Sequence, residues 1–411
     1  MDKPRIRAVE AFPIEHEGQR LICLRDPLGL APQPLAMGAA AYFLLSLMDG
    51  TRSAGEIGQA FAHQFGYALP PAQLDAFIET LDQGFFLDNS RFARRRRAVG
   101  QEFAGLAQRP AAHAGLCYPA QPSELRKELM SFFEPPQGPG WAEIASKPSL
   151  PNLAGLIAPH IDPRRGRSAY ARAYHQMMVR QPPQLVIILG TSHYGSGPEL
   201  FTATTKDYAT PLGNLTTDRA FLARLAGRYR AGDLFADELL HRNEHSIEFQ
   251  TLFLALTLGL EDYQIVPILV SSFHELVRDR RMPNADPRVG AFLDALGEEL
   301  AADGRRVCII AGVDFAHVGK KFGDAQAADD DMIAWLREED RRLIETIEQG
   351  DGAAFFRDIL CDGDRRRICG LSPIYTQLEL LRGRRGRLLA YDVALEPPTE
   401  SAVSYAALAI D

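Results

Sequence analysis

Apolar residues follow two different spacing patterns along the chain. Up to about residue 90 they recur every three or four positions, which is the spacing of amphipathic helices. Farther along, short continuous apolar runs alternate with amphipathic segments: the runs cover residues 153–158, 185–190, 265–270, 307–311, 388–395 and 403–410. Continuous runs of this length are typical of strands buried on both faces. The second pattern predicts an α/β domain with a mixed, largely parallel sheet flanked by helices.

The first pattern predicts a small winged-helix-like domain over residues 1–92. A strand over residues 19–28 precedes a helix over residues 37–48, and residues 85–87 are predicted to form a returning strand. Two further helices are marked by apolar faces, one with Ile57, Phe61 and Phe65, the other with Leu74, Phe77, Ile78 and Leu81.

Between the two parts lies a polar stretch with four consecutive arginines, Arg94 to Arg97. A run of like charges is most often a solvated linker or the solvated face of a helix. We interpret residues 93–112 as a linker, which leaves residues 113–411 for the α/β domain. Contact of the arginines with nucleic acid or with an acidic partner is the alternative.

Length and composition narrow the class of protein. A chain of 411 residues exceeds one compact core, which favours two domains. The net charge of -8 argues against a general nucleic-acid binder. The five cysteines show no regular spacing, and no run reaches the ~20 apolar residues of a membrane span. Because the first residues lack the apolar core of a signal peptide, we expect a cytoplasmic protein without membrane contact.

Three of the apolar runs lead directly to residues that can bind a metal or transfer a proton. They lead to His160, to His193, and to Asp314 followed by His317. A lone histidine is more often structural than a ligand. Ligands of open α/β sheets, however, collect at the carboxyl ends of the strands. We therefore expect these residues to share one site.

Two further residues are candidates for the same site. His245 begins a predicted amphipathic helix, and Cys369 precedes another helix at a loop-to-helix boundary. A helix N-terminus favours the thiolate, which is the form that binds metal or attacks a substrate. We therefore distinguish Cys369 from Cys308, which lies inside an apolar run as an inert small side chain.

The segment Leu47-Met48-Asp49-Gly50-Thr51-Arg52, with Glu56-Ile57 and Leu81-Asp82, resembles PqqD-like domains. Those are winged-helix modules that bind peptides, usually by pairing the peptide with an exposed strand edge. The resemblance implies that the first domain recruits a peptide or a partner protein. A packing or dimerisation domain is the alternative, and direct DNA binding is disfavoured because the helices lack a dense basic reading face.

A series of motifs marks the second domain: Ala158-Pro159-His160, Gly190-Thr191-Ser192-His193, Glu244-His245-Ser246-Ile247-Glu248, Asp314-Phe315-Ala316-His317, Cys369-Gly370 and Ser401-Ala402-Val403-Ser404-Tyr405-Ala406-Ala407. With His113-Ala114-Gly115 near its start, this domain resembles the Memo family, whose prokaryotic members are called AmmeMemoRadiSam system protein B. The resemblance implies the fold of class III extradiol dioxygenases. It also implies a role beside a radical-SAM protein and an AMMECR-type protein.

The family's metal site consists of two histidines and one cysteine, which fall on His160, His193 and Cys369. Two histidines and one anionic ligand on one face of a metal leave positions open for substrate and O₂, as in non-haem Fe(II) enzymes. Fe(II) is therefore the metal we expect first. The soft thiolate leaves Cu(I) or Zn as alternatives.

His245, His317 and Asp314 match polar groups that line the family's pocket. Either histidine can act as an acid or base, and Asp314 can orient a histidine or cap the turn that follows it. The sequence departs from the family pattern after the first metal ligand, with Ile161-Asp162-Pro163, and after the cysteine, with Leu371-Ser372. These departures leave the substrate, a small molecule or a peptide, unidentified.

Three functions remain open. The first is a metal-dependent oxidoreductase that acts with O₂ on an aromatic or redox-active group. The second is a binding or adaptor protein that holds a metal or a peptide without turnover. The third is a zinc hydrolase with Glu244 or Glu248 as the water-activating carboxylate. It is ranked last because neither glutamate lies in an HExxH arrangement.

Overall fold

A computed structural model describes residues 3–141, 150–195 and 197–411. The chain divides into two units, Met1–Gly105 and Leu106–Asp411, and each unit has its own apolar core. The division falls inside the linker predicted over residues 93–112. None of the helices in the described ranges is both long and apolar enough to cross a membrane.

The first unit combines a three-stranded antiparallel sheet, whose strands are neighbours in chain order, with helices that follow it in the chain. Its elements are strands β1 (Glu10–His16), β2 (Gln19–Arg25) and β3 (Leu35–Met37) and helices α1 (Ala39–Ser46), α2 (Ala54–Phe65), α3 (Pro71–Gln83) and α4 (Ser90–Ala104). The three predicted helices are confirmed as α1, α2 and α3. Ser53 and Glu56 form a reciprocal capping box at the start of α2, which explains why that helix begins where it does.

The strands of the first unit differ from the prediction. The sequence does not predict β1, because Glu10, Pro13 and Glu15 interrupt the apolar pattern, yet β1 pairs with β2 over its full length. The returning strand predicted over residues 85–87 is reduced to one isolated bridge, between Leu87 and Ile6.

The predicted linker is largely helical. Asn89 caps α4 by accepting a hydrogen bond from the backbone N–H of Phe92 at 3.0 Å, and Val99 and Phe103 of α4 are buried. The arginine run suggests a solvated segment, but a helix with one apolar stripe can present its arginines on the opposite face. The residues of α4 therefore belong to the first unit.

The second unit is an α/β fold. Its strands are β4 (Gln108–Arg109), β5 (Gly155–Ala158), β6 (Leu185–Thr191), β7 (Phe201–Ala203), β8 (Asp207–Thr210), β9 (Gly213–Leu215), β10 (Gln264–Val270), β11 (Val307–Gly312), β12 (His317–Gly319), β13 (Gly386–Glu396) and β14 (Ser401–Ile410). Its helices are α5 (Pro122–Ser131), α6 (Arg167–Met178), α7 (Arg219–Arg228), α8 (His245–Thr257), α9 (His274–Arg278), α10 (Pro287–Ala302), α11 (Asp330–Glu348), α12 (Gly352–Asp362) and α13 (Leu371–Leu380).

The main sheet has the strand order β12-β14-β5-β11-β6-β10-β7, and β13 pairs with β14. Strands β5, β11, β6 and β10 are parallel neighbours, and they are four of the predicted apolar runs. The other two runs are β13 and β14, and β14 pairs antiparallel with β5, β12 and β13. The predicted mixed, largely parallel sheet is thus confirmed. Because the parallel strands share one direction, their carboxyl ends lie at one edge of the sheet.

Candidate metal centre

Three neighbouring strands each place one polar residue at the same edge of the sheet. His160 lies two positions beyond the end of β5, His193 two positions beyond β6, and Asp314 two positions beyond β11. Since β5, β11 and β6 are consecutive in the sheet, this shared offset brings the three residues together.

His245, the first residue of α8, forms a cluster of three imidazoles with His160 and His193. One potential ligand atom of each residue lies within 4.8 Å of the others. The ring centroids are 4.8 Å apart for His160 and His193, 5.1 Å for His160 and His245, and 4.9 Å for His193 and His245. This spacing is compatible with one shared ion.

Two glycines at the strand ends allow α8 to begin so close to the sheet. A Cβ on Gly190 would lie 2.5 Å from the side chain of Ile247, and a Cβ on Gly312 would lie 2.5 Å from the backbone oxygen of Ser246. Contacts this short are not tolerated, so larger residues would displace the first turn of α8, and with it His245.

Glu244 connects two of the imidazoles. Its carboxylate accepts hydrogen bonds from the backbone N–H of His193 at 2.9 Å and from Nδ1 of His193 at 3.0 Å. It also caps α8 by accepting from the N–H groups of His245 and Ser246, and Nδ1 of His245 lies 3.2 Å from it. Burial raises the pKa of Glu244, but its interactions with His193 and then His245 outweigh burial and keep this pKa well below its usual value.

These hydrogen bonds determine which ring nitrogen carries the lone pair. A carboxylate only accepts, so Nδ1 of His193 carries the proton. Nδ1 of His160 lies 3.0 Å from the carbonyl oxygen of Gly312, which also only accepts. The lone pair is then on Nε2 in both residues, and in His245 if its Nδ1 donates to Glu244. Burial lowers the pKa of His160 and of His245, which favours the neutral imidazole that binds metals.

Cys369 lies beside the cluster. Its Sγ is 3.4 Å from Nε2 of His160 and 3.4 Å from the backbone oxygen of Asp314. The position just before α13 predicts a thiolate, but burial and then the charge of Asp314 raise the pKa of the thiol well above its usual value. The metal-free protein therefore contains a thiol at this position, and a bound cation would favour its deprotonation.

Asp314 contacts the backbone around His160. Its carboxylate accepts hydrogen bonds from the N–H groups of His160 at 3.0 Å and Ile161 at 3.1 Å, and Oδ2 lies 3.7 Å from Nε2 of His160. Burial raises the pKa of Asp314 to about 7. Of the two roles that the sequence leaves open, these contacts favour orientation of His160 over capping of the turn after Asp314.

His317 is outside the group of three histidines. Its Nδ1 lies 3.2 Å from the backbone oxygens of Phe315 and Arg367, and its ring packs against Phe322. Burial, followed by repulsion from His193, lowers the pKa of His317 to about 4. The sequence treats His245 and His317 as equivalent, whereas the structure groups only His245 with His160 and His193.

A buried ion pair next to the cluster has almost no signal in the sequence. Glu248, one helical turn after Glu244, pairs with Arg109, and both side chains are fully buried. Arg109 also donates to the backbone oxygens of His241 at 2.8 Å and Glu244 at 2.7 Å. The only sequence signal is a second glutamate four positions after the first on an apolar helix. Because Arg109 already binds its carboxylate, Glu248 is not placed as the water-activating base that a zinc hydrolase needs.

The cluster is open to solvent on one side. The side chain of His160 is 3% exposed, whereas those of His193 and His245 are 25% and 24% exposed. A ligand can therefore approach from the side of His193 and His245. Neutral imidazoles beside a thiol form a donor set that suits Fe(II), Zn or Cu.

The chain is similar in sequence to proteins of one known family. A family model described as Memo-like protein matches residues 109–409. A MEMO1 family protein of Aquifex aeolicus is 31% identical over 410 residues, which is 99% of this chain and 99% of the relative. A MEMO1 family protein of Methanopyrus kandleri is 31% identical over 288 residues, or 69% of this chain and 91% of the relative. One of Thermus thermophilus is 27% identical over 367 residues, or 88% of this chain and 100% of the relative. The Aquifex alignment therefore includes the first unit as well as the second.

Proposed function

Since this chain belongs to the Memo family, we propose that its histidine cluster binds a redox-active metal ion and that the protein is an oxidoreductase acting with O₂. Fe(II) is the first choice of metal and Cu(I) is the redox-active alternative, whereas Zn, which has no redox chemistry, would favour the hydrolase. The observation that carries the proposal is the convergence of three imidazoles at the carboxyl ends of parallel strands.

The donor atoms suit such a metal. Nδ1 of His160 is hydrogen-bonded to a backbone oxygen and Nδ1 of His193 to a carboxylate, and metal-binding histidines commonly have such partners. We propose Cys369 as the third ligand, because its Sγ lies 3.4 Å from Nε2 of His160. His245 is the alternative third ligand, since its ring belongs to the same cluster.

A bound Fe(II) would supply open coordination positions for O₂ and an oxidisable substrate. The chain supplies proton transfer and orientation. His245 can take up a proton at Nε2 while Glu244 binds its Nδ1, and His317 is a second acid–base candidate. Asp314 orients His160. The resemblance to class III extradiol dioxygenases supports an aromatic or redox-active group as the substrate.

Elemental analysis of anaerobically purified protein tests the metal centre. We expect near-stoichiometric iron in the wild type and loss of most of it in His193→Ala and in Cys369→Ser, because each variant removes a proposed ligand. His63→Ala, on α2 of the first unit, is the control and should retain its iron. If iron is present, uptake of O₂ with aromatic and peptide substrates separates an enzyme from an adaptor that only holds the metal.

The other outcomes are equally informative. Zinc in place of iron would favour the hydrolase. Little metal in the wild type, unchanged in both variants and not restored by added Fe(II), would contradict the metal centre and leave a binding protein.

We also propose that the first unit is a winged-helix-like module that recruits a peptide or a partner protein. Support comes from its resemblance to PqqD-like domains and from β1, which is an edge strand. Pro13, in the middle of β1, has no N–H, and prolines in strands occur where that group would face outward. The N–H groups of Ala11 and Glu15, two positions away on either side, then also face the outer edge. A radical-SAM protein and an AMMECR-type protein are the partner classes that the family resemblance suggests.

Glu15→Pro should weaken peptide binding to the full-length protein by roughly tenfold, since it removes an outward N–H without breaking the pairing of β1 with β2. Peptides selected on the full-length protein from a phage-displayed library serve as probes, and their dissociation constants are compared between variants. Glu15→Ala is the control, because it removes only the side chain. Equal affinities for the wild type and Glu15→Pro would contradict recruitment at this edge.

A further inference from the structure

Helix α8 binds a second histidine in the same way as it binds His193. Glu244 accepts hydrogen bonds from the backbone N–H of His193 at 2.9 Å and from its Nδ1 at 3.0 Å. One helical turn later, Glu248 accepts from the backbone N–H of His113 at 2.9 Å and from its Nδ1 at 3.0 Å. Residues four apart lie on the same face of a helix. The cap residue Glu244 and, one turn into α8, Glu248 therefore present two carboxylates, and each fixes one imidazole at two points.

The contacts with Glu248 determine the state of the His113 ring. Because a carboxylate only accepts, Nδ1 of His113 carries the proton and Nε2 carries the lone pair. Among the residues that the structure describes, none forms a hydrogen bond with Nε2 of His113. A residue that served only to anchor the chain would need its backbone N–H and Nδ1, but it would not need Nε2.

His113 also extends the open side of the histidine cluster. The ring centroids of His193 and His245 are 4.9 Å apart, and those of His245 and His113 are 5.8 Å apart. The three side chains are 25%, 24% and 21% exposed, in contrast to the buried His160. The row His193–His245–His113 thus continues from the proposed metal ligands along the side from which a ligand approaches.

We propose that His113 is a substrate-binding residue whose Nε2 accepts a hydrogen bond from an O–H or N–H group of the molecule bound at the histidine cluster. The inference rests on the proposed metal centre and adds a chemical requirement to it. The substrate should carry a hydrogen-bond donor close to the atoms that bind the metal. Glu248 and Arg109 are then positioning residues that act through His113.

Two probes that differ in one N–H group test this role. Acetohydroxamate and N-methylacetohydroxamate bind a metal through the same two oxygens, but only acetohydroxamate has an N–H. Anaerobic titration calorimetry of the full-length, Fe(II)-loaded protein should show tighter binding of acetohydroxamate, by roughly tenfold. His113→Asn should abolish this preference. The asparagine amide can replace Nδ1 as a donor to Glu248 but places nothing at the position of Nε2.

The iron content separates this inference from the proposed function. His113→Asn should retain its iron, whereas His193→Asn, which keeps the donor to Glu244 but lacks Nε2, should lose it. The same preference in the wild type and His113→Asn, with iron in both, would overturn the role of His113 and leave the metal centre intact. A wild type that binds no iron would overturn both.

Nitrogen-15 spectra of the zinc-loaded wild type give a readout that does not depend on how the variant folds. The Nε2 signal of His113 should shift on addition of acetohydroxamate and should respond less to the N-methyl compound. An identical response to the two compounds would contradict the hydrogen bond.

Discussion

Replacing Glu244 with glutamine should weaken metal binding at the histidine cluster by ~10- to 100-fold, although the two side chains have nearly the same size and shape. The carboxylate accepts hydrogen bonds from the backbone N–H and Nδ1 of His193 and from the N–H groups of His245 and Ser246. An amide has one accepting oxygen, and its NH₂ group would face these donors. His193 and His245 then lose the acceptor that orients them. Competition titration of Co(II) against a chromophoric chelator measures the affinity.

The matched control changes the same kind of group at another helix start. Asp329 caps α11 by accepting a hydrogen bond from the N–H of Met332 at 3.0 Å. Asp329→Asn alters charge at a helix cap as Glu244→Gln does, and we expect a stability loss of about 1 kcal/mol or less with unchanged metal affinity. If Glu244→Gln binds Co(II) as tightly as the wild type, Glu244 does not control the orientation of the imidazoles.

The sequence predicts the centre of the second unit because its signals are local. Strands buried on both faces appear as continuous apolar runs, and β5, β6, β10 and β11 all follow this pattern. Parallel neighbours end at the same edge of the sheet, so the residues that follow β5 and β6, His160 and His193, can be assigned to one site from the sequence alone.

The remaining features depend on contacts that no local pattern encodes. Arg109 and Glu248 lie 139 positions apart in the sequence. Whether His245 or His317 joins the cluster depends on how closely α8 approaches the strand ends. Cys369 has the position that predicts a thiolate, but the burial that raises its pKa comes from the packed fold. In each case the decisive quantity is tertiary packing or burial.

The largest loss of stability is expected for Arg109→Met. Arg109 and Glu248 are fully buried, and removing one partner of a buried ion pair typically costs about 3–5 kcal/mol because it leaves an uncompensated charge. Urea denaturation of the metal-free protein measures the free energy of unfolding. Arg164→Met is the control: Arg164 pairs with Glu128 at 2.8 Å, but the two side chains are 52% and 25% exposed. For this exposed pair we expect a loss of about 1 kcal/mol or less.

The pH dependence of the stability loss in Arg109→Met tests whether the unpaired charge of Glu248 causes this loss. Burial raises the pKa of Glu248, but Arg109 and then His113 outweigh burial and lower this pKa to about 2. A carboxyl whose pKa is lower in the folded than in the unfolded state stabilises the fold above the unfolded value, and this contribution disappears as the pH falls toward the folded value. Without Arg109 the pKa rises, so Glu248 can take up a proton and become neutral in mildly acidic solution. The difference between the wild type and Arg109→Met should therefore be largest around neutral pH and shrink toward about pH 4. A difference that stays constant over this range would indicate lost packing around Arg109, and not the buried charge of Glu248, as the cause.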